Sequence, residues 1–194
     1  MGDEVGVSVQ LNEGCTYRER LGPEAEGQAL LGYLSQRYAH STPEEWAARQ
    51  ELACCYRAVE HMGWHRDSIY NHISMRSPGP DAHFLINPFG LMYQEVTASN
   101  LVKVDLEGNV VDGSTYPVNR AGFVIHSAIH LSRRGDAHAV MHTHTHAGVS
   151  VACQRQGLLP LSMEAVAFQG EVAYHDFEGI SLDRKSTRLN SSHV

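Results

Sequence analysis

The chain has 194 residues, 42% of them apolar, which is enough for one domain with a buried core. Its 15 Lys and Arg face 22 Asp and Glu, a formal charge of −7. That balance argues against nucleic acid, whose phosphates need a basic face, and leaves small metabolites open. No apolar run approaches the ~18–20 residues of a membrane span. The acidic start Met1-Gly2-Asp3-Glu4 has neither the basic region nor the apolar region of a secretory signal. A soluble, cytoplasmic protein with no membrane partner is the expectation.

Residues 1–23 are glycine-rich and weakly patterned, as expected of a flexible lead-in ahead of a domain over 24–183. Ala29, Leu30, Tyr33, Leu34 and Tyr38 allow a helix over 24–39, weakened by Gly27 and Gly32. The next helix is better signed. Thr42 can cap it, Pro43 suits its first position, and Glu45 stands where a capping box needs an acid. Trp46, Leu52, Tyr56, Val59 and Met62 form its apolar face, and Gly63 is a natural stop. From Ile69 the period changes to short β segments: Ile69–Met75, His83–Ile86 and Leu101–Asp105, the last turning into a hairpin with Val110–Asp112. A helix over Arg120–Arg133 carries Phe123, Val124, Ile129 and Leu131. A histidine-bearing strand, a small-residue helix Ala147–Cys153, a helix Met163–Gln169 and a strand Glu171–Asp176 follow.

The histidine strand carries the strongest chemical signal. Apart from His138, residues 137–141 are small and apolar, and His142, His144 and His146 follow at alternate positions. On a strand such residues share one face, ~7 Å apart, and imidazole is the commonest metal-binding side chain. Zinc accepts it readily. A polar strand end with solvated histidines is the competing reading. Cys15, Cys54, Cys55 and Cys153 show no Cys-x-x-Cys spacing and read as reduced packing residues.

Several blocks together resemble one family. They are Ile69-Tyr70-Asn71-His72-Ile73-Ser74, Phe84-Leu85-Ile86-Asn87-Pro88-Phe89-Gly90-Leu91, Val96-Thr97-Ala98-Ser99-Asn100-Leu101-Val102-Lys103, Ala121-Gly122-Phe123 through His126-Ser127-Ala128-Ile129-His130, and Gly170-Glu171-Val172-Ala173-Tyr174-His175-Asp176. With the His-x-His they resemble the class II aldolase/adducin family, and its adducin-like branch in particular. The resemblance implies an α/β fold, a three-layer α/β/α sandwich around a mostly antiparallel sheet, here without its C-terminal elements. It also implies a homo-oligomer, a tetramer in the family, and a divalent-metal lyase acting on a small hydroxy-carbonyl or sugar-like substrate.

Carried over by position, the resemblance makes His142 and His144 ligands of a divalent ion, zinc by expectation, and leaves His146 a bystander. The third ligand is expected beyond Asp183. Asn71 and Gly90 match phosphate-loop positions, with Tyr70 and Phe89 departing from the pattern, and Arg120 is the candidate anion-binding side chain. The family's acid/base glutamate falls on Gly122, which cannot move a proton, so another acid such as Glu164 or Glu171 would be needed and the catalytic residue is unassigned. The alternative is a non-catalytic adducin-head-like scaffold, with actin or spectrin contact expected only in that case. Residues 184–194 hold three cations and no acid, and read as foreign or misassembled sequence after a truncation.

Overall fold

The computed structural model describes residues 6–10, 16–20, 22–37, 41–65, 69–132 and 137–175. The presumed lead-in contains a strand pair, β1 (Gly6–Gln10) against β2 (Thr16–Arg20), antiparallel with Gly6 opposite Arg20. Helix α1 (Leu30–Arg37) starts later than the pattern allowed. Gly27 takes φ +76°, a left-handed conformation that interrupts any helix running through it.

Helix α2 (Pro43–His61) forms where predicted. Thr42 Oγ1 accepts from the Glu45 amide at 3.2 Å, and Gly63 stops the helix at φ +67°. The return arm of the predicted capping box is not made. The buried Glu45 carboxylate instead accepts from Ser41 Oγ at 3.0 Å, Arg49 Nε at 2.9 Å and Lys103 Nζ at 2.7 Å. Charged donors in a sheltered site outcompete one backbone amide for that carboxylate.

The main sheet has the order β5-β4-β3-β6, antiparallel throughout, with β3 at His72–Arg76, β4 at Phe84–Ile86, β5 at Val102–Val104 and β6 at Ala139–His142. The predicted hairpin partner at 110–112 is reduced to one bridge, Val104 to Val110. The Lys103 amide donates to the Asp112 carboxylate at 2.9 Å, so the ladder does not extend. Glu171–Asp176 was expected to be a strand. Residues 171–175 form none and are exposed, while Asp176 lies outside the described residues. Alternation of Val172 and Tyr174 is insufficient without a neighbouring strand to take its hydrogen bonds.

Strand alternation divides the core. Ile73, Met75 and Leu85 join Leu52, Tyr56 and Val59 of α2 on one face. Phe84, Ile86, Val102 and Val104 join Phe123 and Val124 of α3 (Arg120–Ser132) on the other. Each such buried side chain contributes about 1.5–3 kcal/mol of hydrophobic free energy. The functional consequence lies on the α3 face, where the same alternation must place His72 and Ser74.

Beyond β6 come α4 (His146–Ala152) and α5 (Met163–Ala167), both without a buried residue. No helix among the described residues is long and apolar enough to cross a membrane. Cys54, Cys55 and Cys153 are free thiols, while Cys15 lies outside the described residues.

Candidate functional site

Strand β6 ends at His142, and residues 143–145 are irregular before α4 begins at His146. The predicted alternation therefore stops after its first histidine. The first two imidazoles still converge, with Nε2 of His142 and Nε2 of His144 2.7 Å apart and the rings edge to face at 4.7 Å. His146 does not share a strand face with them. It opens α4, exposed, while Thr145 caps that helix by accepting from Gly148 N at 3.0 Å. Burial, with the His144 imidazole beside it, lowers the His142 pKa. Burial thus favours the neutral form of His142, the form a metal requires of an imidazole ligand.

Behind the pair lies a larger histidine assembly. His72 stands directly opposite His142 in the β3–β6 register, and their rings stack at 4.7 Å, 16° from parallel. Cross-strand neighbours on one face meet in this way. His72 Nδ1 lies 2.8 Å from His126 Nε2. His126 Nδ1 lies 2.6 Å from Ser74 Oγ, which is also 2.9 Å from His130 Nε2. The row ends at the Ala137 carbonyl, 3.1 Å from His130 Nδ1. Arg76 Nε donates to the same carbonyl at 3.1 Å, and Arg76 Nη2 donates to the His130 carbonyl. Period two on β3 and period four on α3 bring these side chains together. Sequence reasoning passed over His72, Ser74, His126 and His130. The signal was available in the i, i+4 histidines of α3 facing alternate polar residues of an otherwise apolar strand.

Gly122 belongs to the same face, one helical turn before His126. A Cβ built on it would lie 2.7 Å from His72 Cδ2, 2.8 Å from Nε2 and 3.0 Å from Cγ. Such near-equal distances mean that the ring presents its face to the glycine. His72 thus packs against both Gly122 and His142. An imidazole occupies the space beside the residue that would carry the family's glutamate.

The other predicted residues are placed as follows. Asn71 is buried just before β3, where its Nδ2 donates to the His65 carbonyl. Gly90 is half-buried at φ +95°, with nothing within 4 Å of a built Cβ. Arg120 is exposed at the first position of α3, two residues before Gly122. Glu164 and Glu171 are exposed, and Glu164 is held below the usual carboxylate range by hydrogen bonds at the α5 N-terminus. Neither lies in the buried row. Among the described residues no set of three histidine, cysteine or acidic side chains converges on one metal position. The third ligand is expected beyond Asp183, and residues 176–194 lie outside the described part.

Burial depresses His126 to about 2 and His130 to about 4, with neighbouring charges adding to the effect. The unfolded histidines titrate near 6.5, so below that pH the unfolded chain binds more protons than the folded one. Their contribution to stability is complete above pH 6.5 and is lost progressively as pH falls toward 4. The slope is up to about 1.4 kcal/mol per pH unit for each histidine kept neutral. The urea midpoint is therefore expected to drop between pH 7 and pH 5, and an unchanged midpoint would contradict the burial of neutral imidazoles.

Comparison with known proteins gives a consistent result. The Class II Aldolase and Adducin N-terminal domain pattern matches residues 50–191. A Caulobacter vibrioides protein provisionally named as a class 2 aldolase is 55% identical over 139 residues, covering 72% of this chain and 53% of its own. Rat alpha-adducin is 52% identical over 143 residues, 73% of this chain and 19% of its own. The crystal structure of an aldolase II superfamily protein from Pseudomonas syringae superposes with a TM-score of 0.74 at 50% identity, covering 80% of this chain and 63% of that one. An L-fuculose 1-phosphate aldolase from Glaciozyma antarctica gives a TM-score of 0.67 at 28% identity, with 78% and 59% covered. The chain spans about half the length of the bacterial relatives it matches.

Proposed function

The chain belongs to the class II aldolase and adducin N-terminal domain family, and from that premise we propose that it carries a divalent-metal site for carbonyl chemistry on a small hydroxy-carbonyl or sugar-like substrate. The observation that carries this reading is the convergence of His142 Nε2 and His144 Nε2 at 2.7 Å. Two imidazole nitrogens at that distance share a proton, and a slight opening of the pair would let them flank a cation instead. A divalent ion of the zinc type fits the donor set, with His142 and His144 as two of its ligands and a further ligand outside the described residues. Bound there, it would supply Lewis acidity toward a substrate carbonyl. The chain's own part is to hold the two imidazoles together and oriented. His72 stacks against His142 and limits its rotation. Arg120 at the start of α3, with the Asn71 and Gly90 loops, is the proposed anion-binding group, since a guanidinium pairs with carboxylate or phosphate in two-point geometry. We further propose a cytoplasmic homo-oligomer.

A second reading has its own observation. Gly122 is buried against the His72 ring, so the position that would bear the family's glutamate holds no proton-transfer group. This favours a domain that keeps its fold as an oligomerising scaffold, as the likeness to alpha-adducin also allows.

Metal binding separates the two. Purified chain titrated with Zn²⁺ in a calorimeter is expected to bind it, and His142→Ala or His144→Ala to weaken binding by more than ~100-fold, beyond the loss typical of outer partners. A folded chain that takes up no metal, or variants that bind it unchanged, would rule out the metal-enzyme reading. Aldol cleavage of sugar phosphates and of non-phosphorylated hydroxy-carbonyls is the activity to screen.

A further inference from the structure

The row of polar contacts running from Ala137 to His72 has a direction. A carbonyl oxygen only accepts, so His130 must carry its proton on Nδ1 to bond Ala137. In a neutral ring that leaves His130 Nε2 as an acceptor, and Ser74 Oγ must donate its single hydroxyl proton to it. Ser74 Oγ then accepts from its other side, which places a proton on His126 Nδ1. His126 Nε2 becomes an acceptor in turn, and His72 must donate to it from Nδ1. One backbone oxygen fixes the tautomers of three histidines and leaves His72 Nε2 as a bare lone pair. Arg76 holds that oxygen in place from its other side.

Gly122 and His142 both pack against the His72 ring, which leaves its Nε2 edge to meet a ligand. We propose that the Ala137–His130–Ser74–His126 row sets His72 as a fixed hydrogen-bond acceptor beside the His142–His144 pair, where it receives the hydroxyl of an α-hydroxy-carbonyl or α-hydroxy-acid ligand. The row serves as a positioning device, and His72 as a ligand-binding residue that has taken over ground vacated at Gly122. The ligand class rests on the proposed function above. The tautomer pattern does not.

Nitrogen-15 NMR of the full chain tests both parts separately. His72, His126 and His130 are each expected to show a protonated, pyrrole-type Nδ1 and a bare, pyridine-type Nε2. A protonated Nε2 on His72 would overturn the proposal whatever the metal results. In Ser74→Ala the His72 nitrogens are expected to shift toward tautomer averages, and in Ser74→Thr, which keeps the hydroxyl, to stay as they were. Unchanged His72 signals in Ser74→Ala would show that the row does not set the tautomer. Should Ser74→Ala fail to fold, the wild-type pattern alone decides. The Zn²⁺-treated chain is then titrated with glycolate and, separately, with acetate, which lacks the hydroxyl. Movement of the His72 Nε2 signal with glycolate but not with acetate supports the ligand assignment. Equal movement with both, or movement with neither, overturns it. A bare Nε2 in a chain that binds no metal would leave the row intact while refuting the metal-enzyme reading.

Discussion

Arg49→Met is expected to lower unfolding free energy by about 3–5 kcal/mol, the usual cost of leaving buried charges without their partner. Domains of this size are typically stable by only ~5–15 kcal/mol, so the variant should lose a large share of its stability. Arg49 is 1% exposed, and each of its three side-chain nitrogens donates a hydrogen bond. Nε meets Glu45 at 2.9 Å, Nη1 the Leu101 carbonyl at 2.6 Å, and Nη2 the Asp112 carboxylate at 2.7 Å. Methionine fills much of the volume but makes none of these bonds. Glu45 would keep Lys103 at 2.7 Å, whereas Asp112 would retain only the Lys103 amide at 2.9 Å and its turn contact with Ser114. Urea unfolding gives the size of the loss. Asp112→Asn added to Arg49→Met should recover part of it, because the surplus charge disappears. A loss under ~1 kcal/mol, or no recovery on neutralising Asp112, would show that Arg49 acts by packing alone.

That network also shows what a sequence conveys and what it does not. Thr42, Pro43 and Glu45 gave the start of α2 correctly, since N-capping depends on residues three apart in the chain. Glu45's second role depends on Lys103, 58 positions away, and no local rule could supply it. The same division holds at the site. The apolar run into His142 located β6, and the family resemblance selected His142 and His144. That their nitrogens come within 2.7 Å of each other, although the strand ends at His142, is a matter of side-chain placement that no local pattern gives. Each of the packed and hydrogen-bonded histidines looked locally unremarkable. His126 and His130 were read within a helix and His72 within a strand, and only the packing of α3 on β3 joins them. The strand expected over Glu171–Asp176 fails for the opposite reason: a local pattern is present at 171–175, and no described strand pairs with it.

Gly122 is where these two kinds of information meet, and its replacement should give a result whose sign depends on His72. In an open helix Gly→Ala gains about 1 kcal/mol. Here the new methyl would lie 2.7–3.0 Å from three His72 ring atoms. The ring has little room to retreat, with His142 stacked on it and His126 bonded to its Nδ1. Overpacking of this kind costs about 1–3 kcal/mol, so Gly122→Ala should be destabilising on balance. Gly122→Glu should be worse, because it adds a longer chain and a carboxylate at a buried position. His72→Ala removes the obstacle, although it leaves His126 Nε2 without its donor at a cost of about 1–3 kcal/mol. In that background Gly122→Ala should become neutral or stabilising, and Gly122→Glu should be tolerated far better than in the parent chain. A double-mutant cycle by urea unfolding is expected to give a coupling near the upper end of the ~0.5–3 kcal/mol range for residues in contact. Additive effects would mean that the ring yields freely and that glycine at 122 owes nothing to histidine at 72. Strong coupling would establish the two as one unit, in which the helix cannot take a larger side chain at 122 until the strand gives up its imidazole.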